Sequence, residues 1–329
     1  MPRKLFFVLL LAAFVFTISP AVPTQAKPKW VDFNIPAWAM AKAMDYDIRS
    51  YGEETQIDWI ALLAMSGARS GGSWESIKAA DIESDAKRLA DGESPSDILD
   101  GYKSYEHYYF AYNSVLGGFL GEHLREVPCK ENPGAANLVE KYGLKAYSPV
   151  AEGYGYSHHK DFGNSRSYGY RRKHFGNDLM GSVGTPIIAV EGGVIEELGW
   201  NRYGGWRVGI RSHDSLRYYY YAHLRKDHPW PKHLEIGMNV QGGDVVGYLG
   251  MTGYSIKENV NGMRIPHLHF GMQLVFEGRE RDDTVQNWID VYEIVELLEQ
   301  NRASVVRCGE SGEQERKYRL FDYYYASGD

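Results

Sequence analysis

Pro266-His267-Leu268-His269-Phe270 is a five-residue stretch with a period of two. Successive side chains of a strand face opposite ways. Leu268 and Phe270 therefore share one face, and His267 and His269 share the other. The apolar face suits a core, and the two imidazoles suit a polar cleft. His-x-His alone does not define a site, because solvated strands also alternate polar residues.

The surrounding sequence reads as β over roughly 175–275. Short apolar runs at 186–190, 194–198, 206–211, 217–224, 245–249 and 268–275 are separated by glycine-rich or polar turns. The His213-Asp214-Ser215 break between two such runs has the form of a hairpin. Many short strands with frequent turns point to an antiparallel sheet or sandwich. Within it, Tyr218-Tyr219-Tyr220-Tyr221-Ala222-His223 places Tyr219, Tyr221 and His223 on one strand face, with the two tyrosines expected to line a groove. Upstream, His174-Phe175-Gly176-Asn177-Asp178 sets an imidazole and a carboxylate close in the chain. A catalytic zinc takes three protein ligands and keeps its fourth position open, and two His with one carboxylate is one known set. Imidazole, with an ordinary pKa near 6.5, also suits proton transfer at working pH.

Further out the character changes. Residues 27–127 read as a small all-α domain. Ile57, Ile60, Ala61 and Ala64 recur at helical spacing, Ser94-Pro95 is an N-cap followed by proline, and 105–124 reads as a further helix. Residues 128–165 read as a loop-rich linker. After the β region, 290–302 reads as an amphipathic helix with Asp290 and Glu293 as a capping-box pair. The tail 303–329 has no clear pattern. The fold class expected is α+β.

At the amino terminus, Arg3 and Lys4 precede an apolar run over 5–18. A membrane span needs about 20 such residues, whereas a secretory h-region is shorter. Thr24-Gln25-Ala26 fits a cleavage site, so 1–26 is expected to be a signal peptide and the protein secreted or held in the cell envelope. An uncleaved N-terminal membrane anchor is the alternative.

Composition narrows the classes. The chain has 329 residues, 43% hydrophobic and 24% charged, which is ordinary for a globular protein. Its net charge of −7 argues against broad attraction to nucleic acid. Two Cys exclude a Cys₄ zinc site. Export would make Cys129 and Cys308 disulfide-permissive, and whether they pair stays open. Nine of the 11 His fall between His158 and His269.

Taken in order, His174 to Asp178, Tyr221-Ala222-His223, Gly243-Asp244-Val245-Val246-Gly247, Gly250-Met251-Thr252-Gly253-Tyr254-Ser255 and His267 to Phe270 resemble the lysostaphin or LytM type of zinc endopeptidase. The resemblance covers roughly 146–280, and the peptidase domain it implies runs over 166–302 with the C-terminal helix. It implies a compact antiparallel β fold. It also implies Zn²⁺ held by His174, Asp178 and His269, with His223 and His267 handling protons. The implied substrate is the stem or cross-bridge peptide of cell-wall peptidoglycan. The family also holds catalytically idle wall-binding or regulatory members, such as amidase activators or sporulation-complex components. All five site residues are present here. Two departures bear on the groove: an extra loop over 256–266, and Gly271 where the family often has an acid. The helical region lacks the carboxylate that a lysozyme-like glycosidase needs, so it reads as a binding or positioning module.

Overall fold

The computed structural model describes residues 33–129, 135–275, 287–309 and 311–323. The expected signal peptide lies outside the described residues. No helix among them is long and apolar enough to cross a membrane.

Five helices come first: α1 (Ala37–Ser50), α2 (Trp59–Ser70), α3 (Ala79–Ala90), α4 (Pro95–Ile98) and α5 (Tyr105–Leu116). Helix α2 is buried all round and forms the centre of this part, consistent with its nearly unbroken apolar sequence. The Asp58 side chain caps its first turn, accepting from Ile60 N at 2.8 Å, and Gly71 ends it at φ 62°. Ser94 caps α4 with Pro95 as the first helical residue, as its sequence predicts.

The expected helix over 105–124 is a correction. It ends at Leu116, and the chain turns through Gly117-Gly118 into a strand. Each glycine costs a helix about 1 kcal/mol relative to Ala. At Gly118 a Cβ would also collide with the Glu191 carboxylate and the Arg217 guanidinium.

The strands follow as β1 (Leu120–Pro128), β2 (Ala136–Leu144), β3 (Tyr156–His158), β4 (Ser165–Arg166), β5 (Arg172–Lys173), β6 (Asn177–Gly181), β7 (Pro186–Ile188), β8 (Gly193–Asn201) and β9 (Gly205–Ser212). Next come β10 (Arg217–Ala222), β11 (Asn239–Val240), β12 (Val245–Tyr248), β13 (His267–Leu274), β14 (Trp288–Ile289), helix α6 (Tyr292–Leu298), β15 (Val305–Arg307), β16 (Gln314–Arg316) and β17 (Leu320–Asp322). The main sheet runs β11-β8-β9-β10-β13-β6-β3, with β14 also on β13, and its pairings are antiparallel.

Two further expectations change. The segment read as a loop-rich linker holds β2, which pairs with β1 along nine residues, and the tail supplies β17 to the same ribbon. Most of β2 is exposed, so no apolar alternation marks it. The C-terminal helix is shorter than 290–302. Asp290 Oδ1 does accept from Tyr292 N at 3.0 Å, but Glu293 turns away to accept from Ala37 N at 3.0 Å, so no capping box forms.

Buried residues of α1, α2, α5, α6 and the main sheet form one continuous apolar cluster. Beside it lies an ionic centre. Arg217 is fully buried. It donates to both Glu191 oxygens at 2.8 and 2.9 Å, to Asp214 Oδ2 at 2.6 Å and to Ser114 O of α5 at 3.0 Å. Tyr219 OH also donates to Glu191 at 2.5 Å. This cluster ties the helices to the back of the sheet that carries the histidines. Removing one partner of a buried pair strands the other charge, at a cost of about 3–5 kcal/mol. Arg217→Leu is therefore expected to lower the denaturant midpoint by that much stability. A loss under about 1 kcal/mol in the same titration would show that Glu191 finds other partners.

Candidate active site

Register places the site. Residues paired across antiparallel strands share a face. His269 pairs with Asp178 on β6 and with Ala222 on β10, and His267 pairs with Met180. His267, His269 and Asp178 therefore emerge on one face, while Leu268 and Phe270 are fully buried on the other. His174 reaches the same point from the turn before β6. Gly176 makes that turn possible. It sits at φ 152°, and a Cβ there would lie 2.6 Å from Phe270 O and 2.8 Å from the His269 ring.

The three potential ligand atoms converge. His174 Nε2 lies 2.7 Å from His269 Nδ1 and 3.0 Å from Asp178 Oδ1, and His269 Nδ1 lies 3.4 Å from Asp178 Oδ1. Ligands of a tetrahedral zinc at about 2.1 Å stand about 3.4 Å apart. Asp178 Oδ1 is also buried without a directed hydrogen bond, despite its imidazole neighbours. A divalent cation would satisfy that oxygen and both facing nitrogens, so the residues fit the group.

The second pair of imidazoles is held differently. His223 Nδ1 lies 2.8 Å from Thr252 O, and His267 Nδ1 lies 2.8 Å from Ile265 O. A carbonyl only accepts, so each Nδ1 carries a proton, and in a neutral ring the lone pair is then on Nε2. The rings stand 4.8 Å apart, centroid to centroid. Burial, together with the neighbouring His267 and His269, pushes His223 well below the ordinary imidazole pKa. It is therefore neutral at pH 7.

His223 reaches this face by breaking the strand rule. Strand alternation would send it to the core face with Tyr219 and Tyr221, but β10 ends at Ala222 and His223 adopts φ 61°. This corrects the expectation that Tyr219, Tyr221 and His223 share a face. Tyr219 and Tyr221 are fully buried against Phe270 and do not line the groove. Tyr220 does, with its ring edge-on to His269 at 5.7 Å. The Gly-x-Thr-Gly motif explains the turn. Thr252 Oγ1 donates to Leu224 O at 2.6 Å and accepts from Trp206 N at 3.0 Å, while its carbonyl holds His223. Gly253, at φ 112°, leaves no room for a Cβ beside Tyr203 O and the His223 ring.

Two residues that sequence reasoning passed over complete the centre. Asp161 Oδ2 lies 3.2 Å from His174 Nδ1, and its Oδ1 accepts from Asp178 N at 3.2 Å. Arg166 Nη2 bridges Asp161 Oδ2 at 2.6 Å and Asp178 Oδ2 at 3.0 Å. Burial would lower the His174 pKa, but the Asp161 and Asp178 carboxylates beside the ring outweigh it and raise it to about 9. Burial would likewise raise Asp178, but His174 and His269 hold it far below the usual carboxylate range. Asp161 and Arg166 stand in an aperiodic segment next to His158 and His159. His158 stacks on Tyr292 at 4.4 Å, and His159 is exposed. A carboxylate behind a ligand imidazole typically holds 10–100-fold of metal affinity. Asp161→Asn is thus expected to weaken zinc binding about 10–100-fold in a chelator competition. Unchanged affinity would reduce Asp161 to a packing role.

The cavity over these residues measures about 480 Å³. The β4–β5 hairpin forms one wall, the turn around Tyr203 another, and the inserted 256–266 loop contributes Met263.

A sheet and its adjoining turn that together bring two imidazoles and a carboxylate to one point, with two more imidazoles alongside, have the layout of a single-metal hydrolase centre. Residues 172–283 match the model of Peptidase family M23. The chain is 40% identical over 117 residues to the L-Ala–D-Glu endopeptidase of Bacillus subtilis (strain 168), covering 36% of this chain and 34% of that protein. It is 36% identical over 98 residues to the lysostaphin of Staphylococcus staphylolyticus, covering 30% of this chain and 18% of that one. It thus spans about a third or less of these relatives' own length. The catalytic domain of lysostaphin from Staphylococcus simulans aligns at 27% identity and TM-score 0.34, over 43% of this chain and 92% of that domain.

Proposed function

We propose that this chain is a zinc-dependent endopeptidase, exported through residues 1–26, that hydrolyses peptide bonds of bacterial cell-wall peptidoglycan. The carrying observation is the meeting of His174, Asp178 and His269 within one M23 domain, flanked by two imidazoles tethered to carbonyls. In this reading 27–127 is a helical positioning module, 128–165 a connector and 166–302 the peptidase unit, with 303–329 closing the chain.

His174 Nε2, Asp178 Oδ1 and His269 Nδ1 would hold Zn²⁺. Bound there, zinc would supply Lewis acidity toward the scissile carbonyl and lower the pKa of water from about 15.7 to about 7. Asp161 keeps the His174 imidazole in the tautomer that offers Nε2. His223 and His267 present free Nε2 atoms, so either accepts a proton as the nucleophile forms and returns one to the leaving amine. Their Nδ1–H bonds to Thr252 and Ile265 fix ring orientation and stabilise the protonated state. Tyr220 and the cavity walls orient the peptide and limit water.

The test is direct. The purified protein should carry about one zinc per chain and release new amino termini from peptidoglycan, with chelator stopping the release. Zinc-loaded protein that binds the wall yet leaves the fragment masses unchanged would identify an idle binding or regulatory protein instead. New reducing ends insensitive to chelator would identify a glycan-cleaving enzyme.

A further inference from the structure

The cavity wall carries charge that the mechanism leaves unused. The chain as a whole is acidic, at net −7. Yet among the described residues Asp178 is the one carboxylate lining the cavity, against Arg166, Arg172, Lys173, Arg202 and Arg207. Arg166 is paired with Asp161 and Asp178, and Arg207 with Glu197. For Arg172, Lys173 and Arg202 no carboxylate partner is found among the described residues.

Arg172 is held in place by neutral groups. It donates to Tyr168 O at 2.8 Å and to Tyr254 OH at 3.2 Å. Its guanidinium lies over the rings of Tyr203, Tyr254 and Tyr170 at 4.6, 5.4 and 5.9 Å. Tyr168 stacks flat on Tyr254, with centroids 4.6 Å apart and planes 3° apart. Arg202 lies over the same Tyr203 ring at 4.4 Å. These contacts orient the cations without neutralising them, and two bonds leave a guanidinium further N–H groups to give. Arg172 and Lys173 directly precede His174. Along extended chain they are within about 7 Å of that ligand.

We propose that Arg172, Lys173 and Arg202 form a carboxylate subsite, so that this cleft takes an acidic peptide whose free carboxylate lies within about one residue of the bond cut. The proposal rests on the endopeptidase reading above and adds the substrate's charge to it. A planar carboxylate matches the forked donors of arginine. Uncompensated cations in a partly closed cleft also raise the local concentration of an anionic substrate and weaken with salt.

The test uses the zinc-loaded full-length protein and two synthetic wall peptides, L-Ala–D-Glu–L-Lys with a free D-Glu carboxylate and the same peptide with that group as carboxamide. Calorimetry should show the acid form binding about tenfold more tightly at low salt, which is the worth of one charge-assisted hydrogen bond. Its kcat/KM should lead by a similar ratio. The Arg172→Met, Arg202→Met double variant should bring both ratios within about twofold of one. Lys173 is exposed, so Lys173→Met probes the same charge without disturbing the hairpin, and should lower the ratio about threefold. Equal binding of acid and amide, or a preference that survives both variants, overturns the subsite. If no new amino termini arise from either peptide or from intact peptidoglycan, the endopeptidase reading fails, while the binding ratio still decides the subsite.

Discussion

His174→Ala is expected to abolish both metal binding and turnover. His174 is the hub of the centre: its Nε2 is within 3.0 Å of both other ligand atoms, and its Nδ1 faces Asp161. Even changes behind a ligand cost about 10–100-fold in metal affinity, so loss of a ligand should cost more. Elemental analysis of the dialysed protein should fall from about one zinc per chain to background, and amino-terminus release should fall with it. The variant should stay folded, because the buried cluster behind the sheet does not include this residue. Retention of zinc at wild-type affinity would refute the ligand assignment, and with it the M23-type mechanism.

The second large effect separates metal from proton transfer. His267→Ala and His223→Ala should each keep zinc and lose about 10²–10⁴-fold in kcat, the usual span for a general acid or base. Neither imidazole is among the three converging candidate ligands. The pH profile gives a further reading. His223 is held well below its ordinary pKa by burial and by His267 and His269. A base with a lowered pKa stays deprotonated as pH falls through about 6.5. At saturating zinc, the acid limb of kcat/KM should therefore lie below that value. A zinc-free His267→Ala protein, or a limb above pH about 7, would require different roles for this pair.

The two classes of residue were legible to different degrees. His267 and His269 declare themselves through strand alternation, and Leu268 and Phe270 confirm the buried face. His174 and Asp178 are close in the chain, with a glycine between them. His223 was legible as a motif, but the path by which it reaches the cleft was not. Its positive φ overrides the period of two, and its neighbours Tyr219 and Tyr221 were drawn onto the wrong face as a result. Asp161 and Arg166 carry no local signature, because their role consists of contacts to His174 and Asp178, 8–17 positions away across a loop. The strand Ala136–Leu144 was hidden for another reason. It is a mostly exposed ribbon strand, and an exposed strand need not alternate.

Sequence by itself determined the local chemistry: an alternating strand with two imidazoles, a His-x-x-x-Asp turn, a helical first part and a β-rich second part. These follow from periodicity and from short-range spacing, which the covalent chain imposes. Tertiary structure alone decided which side chains meet. The register of β6, β13 and β10 sets Asp178 opposite His269 and Ala222. The left-handed turn at His223 sends one more imidazole to that face. The β4–β5 hairpin brings Arg172 and Lys173 to the cleft. Such meetings depend on hydrogen-bond register and loop packing between distant segments, and no local pattern of residues encodes them.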